Sequence, residues 1–312
     1  MPYLKYEDHR FNKNSLVVIQ QAEEIIQKYS AEGYDLTLRQ LYYQFVARNI
    51  FPEDRKWCWT GSKWIRDPEG TKNADPNYTW LGDIINDARL AGLIDWDSIV
   101  DRTRHVRKNS HWNGPRDIVE ACAQQFRIDT RKTQKKYIEI WIEKDALIGV
   151  IEGTCTDLDI PCFSCRGYVS QSTMWDAAYR RFITQEENGK QTHILHFGDH
   201  DPSGIDMTRD IHDRLHLFES DVIVERIALT MEQVDELSPP PNPAKLTDSR
   251  CRSYIENYGD ESWELDALEP DYIVNLIQEK VAELTDFDEW EKQQAIQDEH
   301  RKNLQKIAKK LD

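Results

Sequence analysis

Short apolar runs alternate with segments of helical periodicity between residues 137 and 227, and this alternation constrains the fold more than any other feature. The first run, YIEIWI at 137–142, reads as a buried strand. Strands that alternate with helices pair in parallel, because each helix crosses over a face of the sheet. We predict further strands over 160–164, 193–198 and 222–227, separated by helices over 145–154, 172–185 and 205–215. The predicted fold class is α/β, with a mainly parallel sheet flanked by helices.

Two aspartates follow the third predicted strand directly, in the sequence HFGDHDPSG. Residues two apart on a strand point to the same side, so Asp199 and Asp201 can direct two carboxylates to one place. Pro202 and Gly204 then end the strand. Glu143 ends the first strand, and the carboxyl ends of parallel strands share one edge of a sheet. The three carboxylates are therefore predicted to bind Mg²⁺, with Mn²⁺ as the alternative ion.

Four further residues are candidates for a second metal or for support of the first. Glu264 and Asp266 repeat the two-residue spacing in the sequence WELDAL. His200 lies between the two aspartates, where a contact behind the metal ligands is expected. Lys144 follows Glu143. For any one of the acidic residues, a helix cap or a solvated side chain is the ordinary structural role.

The first half of the chain is predicted to be mostly helical. Residues 15–30 have amphipathic periodicity, and Thr37–Gln40 is a capping-box pattern that begins a second helix reaching about residue 49. Thr79 is the predicted cap of a third helix, which ends near residue 92 and is followed by a short strand over 93–96. Three helices and an extended segment are typical of a winged helix-turn-helix, and also of plain helical bundles.

The second helix carries a candidate nucleophile. Apolar residues at 38, 41, 42, 45 and 46 form one helical stripe that includes Tyr42. Tyr43 lies off the stripe, one turn after Arg39, so we predict a buried Tyr42 and an exposed Tyr43 beside a cation. A phenol has a pKa of about 10. A neighbouring arginine would favour its phenolate, the form that attacks a phosphodiester.

Charge is distributed unevenly along the chain. The net charge is −16, yet residues 1–142 carry 22 basic and 20 acidic residues, whereas residues 143–312 carry 18 and 36. Residues 102–136 hold ten basic residues against three acidic ones. A basic segment of this kind suits phosphate contacts that do not depend on sequence. The residues predicted to contact DNA are Arg102, Arg104, Arg107 and Lys108.

Membrane insertion and disulfide bonding are not expected. The chain has no apolar run of membrane-spanning length, and its first residues lack a signal-peptide core. The six cysteines are scattered, and the C-x-x-C at 162–165 has no second pair at zinc spacing. We expect reduced thiols and a cytoplasmic, nucleoid-associated protein.

Several short motifs together resemble one protein family. A glutamate after one strand and GDHDPSG after another are similar to the Toprim fold of topoisomerases, primases and nucleases. Within that fold, the motifs resemble the A subunit of topoisomerase VI and its relative, the meiotic double-strand-break transesterase. The matching segments, in chain order, are Arg39–Tyr43, Glu143–Ala146, Arg166–Tyr168, Asp199–Gly204 and Trp263–Leu268.

The resemblance implies an activity and a set of partners. It implies a winged-helix domain preceding a Toprim domain, Mg²⁺ on Glu143, Asp199 and Asp201, and a catalytic tyrosine that is second in Arg-x-x-Tyr-Tyr, which corresponds to Tyr43. The predicted function is Mg²⁺-dependent cleavage of double-stranded DNA by a homodimer. Because the chain is short and contains no phosphate-binding Gly-rich loop, strand passage would need a separate ATPase subunit as partner.

Two alternatives to this predicted function remain open. A Toprim nuclease would use metal-activated water, with Tyr43 only positioning DNA. A DNA-binding regulator would retain the acidic residues without catalysis.

The same motifs set the predicted domain boundaries. We divide the chain into a winged-helix-like domain over 1–136, a Toprim domain over 137–284 and a charged C-terminal helix over 285–312.

Overall fold

The protein is a mixed α/β structure whose described residues form two compact units. The computed structural model describes residues 3–34, 36–100, 109–244 and 248–311, and 54% of it is helical. Unit 1 draws on residues 1–104, 198–205 and 228–269, and unit 2 on residues 105–197, 206–227 and 270–312. Among the described helices, none combines the length and the apolar composition of a membrane span.

The regular elements follow the chain in this order. The helices are α1 (Lys13–Ala31), α2 (Leu38–Ala47), α3 (Asp75–Leu90), α4 (Pro115–Gln125), α5 (Ile148–Asp157), α6 (Gln171–Asp176), α7 (Ile183–Glu187), α8 (Pro202–Leu217), α9 (Met231–Leu237), α10 (Cys251–Tyr258), α11 (Pro270–Glu283) and α12 (Phe287–Ala308). The strands are β1 (Trp57–Trp59), β2 (Trp64–Arg66), β3 (Lys136–Ile142), β4 (Cys162–Ser164), β5 (Gln191–Phe197), β6 (Val222–Ala228), β7 (Asn242–Pro243) and β8 (Glu261–Ser262).

A four-stranded parallel sheet with the order β4-β3-β5-β6 organises unit 2. Strands β3 and β5 lie side by side, with Ile142 opposite Phe197 at their carboxyl ends. Residues 138–142 and 192–197 are buried, as expected for strands covered on both faces by helices. The predicted α/β class and all four predicted strands of this region are confirmed. The predicted helix over 172–185 is α6 and α7 joined by a π-helical segment, Ala177–Phe182.

Helix α12 occupies most of the segment 285–312 that was predicted as a charged C-terminal helix, and it packs with α4 within unit 2. The Gln297 side chain of α12 accepts a hydrogen bond from the Ile128 backbone at 2.9 Å. Arg301 donates from Nε to the Phe126 carbonyl at 2.8 Å. These contacts place α12 in unit 2 with the sheet rather than in a segment of its own.

His196 gives unit 2 a pH-dependent stability. It is fully buried in β5, and burial, followed by the nearby Arg226, lowers its pKa to about 3. An unfolded histidine has a pKa of about 6.5, so the unfolded chain binds more protons at intermediate pH and stability is lost on acidification. We expect the free energy of unfolding to fall by about 2 kcal/mol between pH 7 and pH 5 through this residue alone.

Urea denaturation across that pH range tests the His196 contribution. The His196→Asn variant is expected to have a flatter pH dependence than the wild type. Replacing the exposed His111 of unit 2 with asparagine is the matched control and should leave the slope unchanged. Equal slopes for wild type and His196→Asn would contradict the assignment.

Helices α1, α2 and α3 form the core of unit 1. The predicted capping box of α2 is confirmed, because Thr37 and Gln40 cap each other's backbone. The predicted start of α3 at Thr79 is wrong, since the helix begins at Asp75 with a proline in its first turn. The Tyr42 hydroxyl holds that start by accepting a hydrogen bond from the Ala74 backbone at 2.7 Å.

The strand predicted over residues 93–96 is not observed. The chain turns there, with Ile94 buried in the core and Leu93 exposed. The neighbouring backbone instead makes one isolated parallel bridge, between Leu36 and Ile99. The Ile94 side chain fills the core although its backbone pairs with no strand of the described residues. Apolar composition alone therefore predicted a strand here incorrectly. A winged-helix arrangement is not confirmed in the described residues.

Unit 1 is discontinuous in sequence, which differs from the contiguous division at residues 136 and 284. Gly198 donates to the Ala228 carbonyl and Leu229 donates to the Gly198 carbonyl, both at 2.8 Å. His200 and Trp263 form a further backbone bridge. Ala267 belongs to the same buried cluster as α1, α2 and α3. Long-range backbone pairing of this kind joins distant segments, and local sequence patterns do not reveal it.

Candidate active site

The loop 198–201 carries the two aspartates and is held by backbone pairing. His200 donates to the Trp263 carbonyl at 2.8 Å and accepts from the Trp263 backbone at 2.9 Å. The His200 ring is buried and packs edge-on against Tyr258 and Trp263, and its Nδ1 lies 2.8 Å from the Tyr254 hydroxyl. His200 was predicted either to bind a second metal or to support the first metal site. Its ring contacts hold the loop that carries the two aspartates, which is consistent with the supporting role.

Both aspartates accept backbone hydrogen bonds. Asp199 Oδ1 accepts from the Leu265 N–H at 2.8 Å. Asp201 Oδ1 accepts from the Gly204 N–H at 2.6 Å and from the Ser203 hydroxyl at 2.8 Å, so it caps helix α8. These bonds fix the position of both carboxylates. Asp201 is therefore a helix cap, which is an ordinary structural role for an aspartate. It also lies on the wall of the cavity described below.

Arg39 connects the candidate tyrosine to the later acidic motif. Its Nη2 lies 3.4 Å from the Tyr43 hydroxyl and 3.5 Å from Glu264 Oε2. Its Nε lies 3.2 Å from Asp266 Oδ2, whose side chain is fully buried. Glu264 flanks the short 3-10 helix Leu265–Ala267, which carries Asp266. Residues 225 positions apart in the sequence thus meet at one guanidinium.

The electrostatic setting keeps Arg39 charged. Burial by itself lowers the pKa of Arg39, but the adjacent Tyr43, Asp266 and Glu264 raise it well above its ordinary value overall. Arg39 is therefore a permanent cation beside the phenol. A fixed positive charge at this distance favours the phenolate over the neutral phenol.

The two tyrosines of α2 have different surroundings. Tyr42 is buried as predicted, and its hydroxyl donates to Asn73 at 2.9 Å. The prediction that Tyr43 is exposed is wrong, because its ring is only 4% exposed and packs against Tyr42 at 5.3 Å between centroids. The helix is covered on this side too, by the segment containing Ala267. The predicted neighbour of Tyr43, the Arg39 cation, is confirmed.

A cavity of about 860 Å³ opens beside these residues within unit 1. Its wall includes Arg39, Tyr43, Asp199, Asp201 and Glu264. The wall also includes residues of the segment 57–78, among them Trp57, Trp59 and Trp64, which were not among the predicted site residues. Three tryptophans within eight residues were the available signal. Their placement beside the aspartates depends on tertiary packing, which that signal does not contain.

The remaining metal candidates, Glu143 and Lys144, belong to unit 2. Glu143 follows β3, and its N–H donates to the Phe197 carbonyl at 2.8 Å. Its own carbonyl accepts from the Arg166 N–H at 3.0 Å, and the Arg166 side chain pairs with Asp145 at 3.0 Å. Two motifs that carry the family resemblance, around 143–146 and 166–168, are therefore neighbours in unit 2.

The chemistry of the cavity wall fits a hard divalent cation. Asp199 and Asp201 supply carboxylate oxygens, and Mg²⁺ is usually held by one or two carboxylates together with waters and substrate phosphates. Over the described ranges, no group of three or more His, Cys, Asp or Glu side chains is arranged to hold a metal. A triad of Glu143, Asp199 and Asp201 therefore stays a prediction. The predicted DNA-contact residues Arg102, Arg104, Arg107 and Lys108 lie outside the described residues.

Gly204 allows the aspartate loop and helix α8 to approach each other closely. A Cβ at this position would lie 2.2 Å from the Asp199 carbonyl oxygen. Gly204→Ala is therefore expected to lower the free energy of unfolding by about 1–3 kcal/mol, because the loop backbone must move. Thermal denaturation would measure it. Gly153→Ala in α5, where a Cβ meets open space, is the control and should be neutral or slightly stabilising. Equal melting temperatures for the two variants would contradict the close approach.

Comparisons of the chain with protein-family models, with curated proteins and with solved structures found no match. The resemblance to the topoisomerase VI A subunit therefore rests on the short motifs alone and stays a prediction.

Proposed function

We propose that this protein is a DNA-cleaving enzyme in which Tyr43 attacks a phosphodiester of double-stranded DNA. One observation carries the proposal: the Tyr43 hydroxyl lies 3.4 Å from the Arg39 guanidinium on the wall of a cavity that Asp199, Asp201 and Glu264 also line. A nucleophile, a fixed cation and carboxylates beside one accessible space are the groups that phosphoryl transfer requires.

The reaction forms one bond to phosphorus and breaks another. The Tyr43 oxygen bonds to phosphorus, a bridging P–O bond breaks, and the leaving oxygen becomes a free hydroxyl at the other strand end. The phenol proton passes to water, and the leaving oxygen takes up a proton from water. Arg39 cannot accept the phenol proton because it remains charged. Its role is to stabilise the phenolate and then the negative charge on the phosphoryl oxygens.

Asp199 and Asp201 would hold Mg²⁺, or Mn²⁺ in its place. The ion, when bound, would polarise the phosphodiester and neutralise the charge that develops there. Hydrogen bonds from the Leu265 and Gly204 backbones orient the two carboxylates before any ion arrives. Without an ion, the carboxylates of the cavity wall repel phosphates, so DNA binding is expected to require the ion.

Duplex DNA, a second copy of the chain and a separate ATPase subunit are the partners proposed. The basic excess over residues 102–136 supports DNA as the substrate. The homodimer, the winged-helix and Toprim arrangement and the ATPase partner follow from the motif resemblance. Nuclease action by metal-activated water is the second mechanism, since Asp199 and Asp201 line the cavity independently of Tyr43.

A denaturing gel of labelled duplex DNA incubated with the wild-type protein and Mg²⁺ tests the proposal. Transesterification is expected to give label that migrates with the protein until protease treatment releases it. Cleaved DNA with both ends free would instead establish hydrolysis by water. Intact DNA with Mg²⁺ and with Mn²⁺ would overturn the enzymatic proposal in favour of a regulator. Incubation with a chelator is the control and should leave the DNA intact.

A further inference from the structure

The segment 57–66 forms a hairpin that presents aromatic rings to the cavity. Strands β1 and β2 pair antiparallel, with Trp59 opposite Trp64, and these two rings lie 5.5 Å apart. Trp59 is 49% exposed, whereas Trp57 and Trp64 are half-buried. We call residues 57–66 the tryptophan hairpin. All three tryptophans line the cavity of unit 1, and a contiguous apolar surface rimmed by polar residues is typical of a binding site.

The other two tryptophans of the hairpin are held in place by hydrogen bonds to helix α3. Trp57 donates from Nε1 to Asn77 at 2.9 Å, and Trp64 donates from Nε1 to Asp75 at 3.4 Å. Gly70 packs so closely that a Cβ there would lie 2.3 Å from the Trp57 carbonyl oxygen. Trp57 and Trp64 are thus held in place, and Trp59 packs against the ring of Trp64 at 5.5 Å between centroids. A surface that is ordered before a ligand arrives loses less entropy on binding.

The charges on the cavity wall decide what kind of group the tryptophan hairpin can receive. Within the described part of the wall, six carboxylates face a single guanidinium, that of Arg39. Three of the carboxylates, Asp67, Glu69 and Asp75, lie on the hairpin side. A phosphate is repelled there, whereas a nucleobase has an aromatic face for stacking and amino groups that donate to carboxylates. A cavity of about 860 Å³ accommodates such a group beside the reacting phosphodiester.

We propose that the tryptophan hairpin stacks an unpaired nucleobase next to the phosphodiester that Tyr43 attacks. This inference rests on the proposed function and adds the class of substrate: DNA with a base that has left the helical stack, as at a bulge, a mismatch or a single-strand junction. Trp59, the most exposed of the three rings, is the stacking residue. A base already unpaired enters at lower cost than one extracted from a duplex.

Binding measurements test the inference independently of cleavage. The DNA is an end-labelled duplex with one bulged 2-aminopurine, compared with the same duplex fully paired, in Ca²⁺ as the probe ion. Stacking on Trp59 is expected to quench the 2-aminopurine fluorescence. Trp59→Ala should abolish the quenching and raise the Kd for the bulged duplex about 5- to 150-fold, with less than twofold change for the paired duplex.

Two control variants make the outcome interpretable. Trp59→Phe keeps a stacking face and should retain most of the preference for the bulge. Trp175→Ala removes an exposed tryptophan from unit 2 and should change neither Kd. Equal Kd values for the two duplexes with the wild type, or equal losses on both with Trp59→Ala, would overturn the inference. A bulge preference in a protein whose gel shows intact DNA would instead refute the proposed cleavage and leave base binding standing.

Discussion

Replacing Tyr43 with phenylalanine is expected to lower the yield of protein-linked DNA by about 10³-fold or more, because the attacking oxygen is removed. The phenylalanine ring keeps the packing against Tyr42, so the fold should survive. Tyr43→Phe also removes the 3.4 Å hydrogen bond between the Arg39 guanidinium and the Tyr43 hydroxyl. Such a bond contributes about 0.5–1.5 kcal/mol to stability. Adduct yield is measured on the denaturing gel, and the free energy of unfolding by urea denaturation.

The matched control for Tyr43→Phe is Tyr179→Phe, which removes a hydroxyl from an exposed tyrosine in unit 2. It should leave both adduct yield and stability unchanged. Tyr42→Phe should lower stability instead, since the Tyr42 hydroxyl bonds to Asn73 and to the Ala74 backbone. Protein-linked DNA at wild-type yield from Tyr43→Phe would exclude Tyr43 as the nucleophile. Free DNA ends at an undiminished rate would assign the chemistry to water.

The parallel sheet could be predicted from sequence because its signal is local. Residues 137–142 and 193–198 are apolar runs too short for helices, and each is followed by a helical segment. Burial on both faces makes such strands nearly continuously hydrophobic. The strand predicted over 93–96 failed by the same criterion, since Ile94 fills the core of unit 1 as an isolated side chain.

The candidate site was only partly predictable, because its residues meet through long-range packing. The pairing of Tyr43 with Arg39 follows from helical spacing alone. The pairing of Arg39 with Glu264 and Asp266 instead depends on contacts between residues at least 225 positions apart in the sequence. The approach of the tryptophan hairpin to Asp199 likewise has no local signature. Helical periodicity also placed Tyr43 on the exposed face, since a single helix does not reveal that a second segment covers its other side.

The buried carboxylate of Glu139 gives unit 2 a contact that is sensitive to substitution. Tyr137, Glu139 and Trp141 share one side of β3 by the period of two, and both aromatic residues donate to the carboxylate, at 2.7 and 2.8 Å. Burial raises the pKa of Tyr137, with Glu139 raising it further, so its hydroxyl remains a neutral donor. Arg181 completes the set with two bonds, at 3.0 and 3.2 Å. The Glu139 side chain is 2% exposed.

Replacing Arg181 with methionine is expected to lower the free energy of unfolding by about 3–5 kcal/mol, because a buried charge loses its ionic partner. Urea denaturation measures this, and Arg180→Met is the matched control: Arg180 is adjacent in sequence, but its pair with Asp176 is exposed and should contribute less than about 1 kcal/mol. Adding Glu139→Gln to Arg181→Met should restore part of the loss, because the charge is gone while Tyr137 and Trp141 keep an acceptor. Equal losses for Arg181→Met and Arg180→Met would show that water reaches Glu139 and that the ion pair adds little to the stability of unit 2.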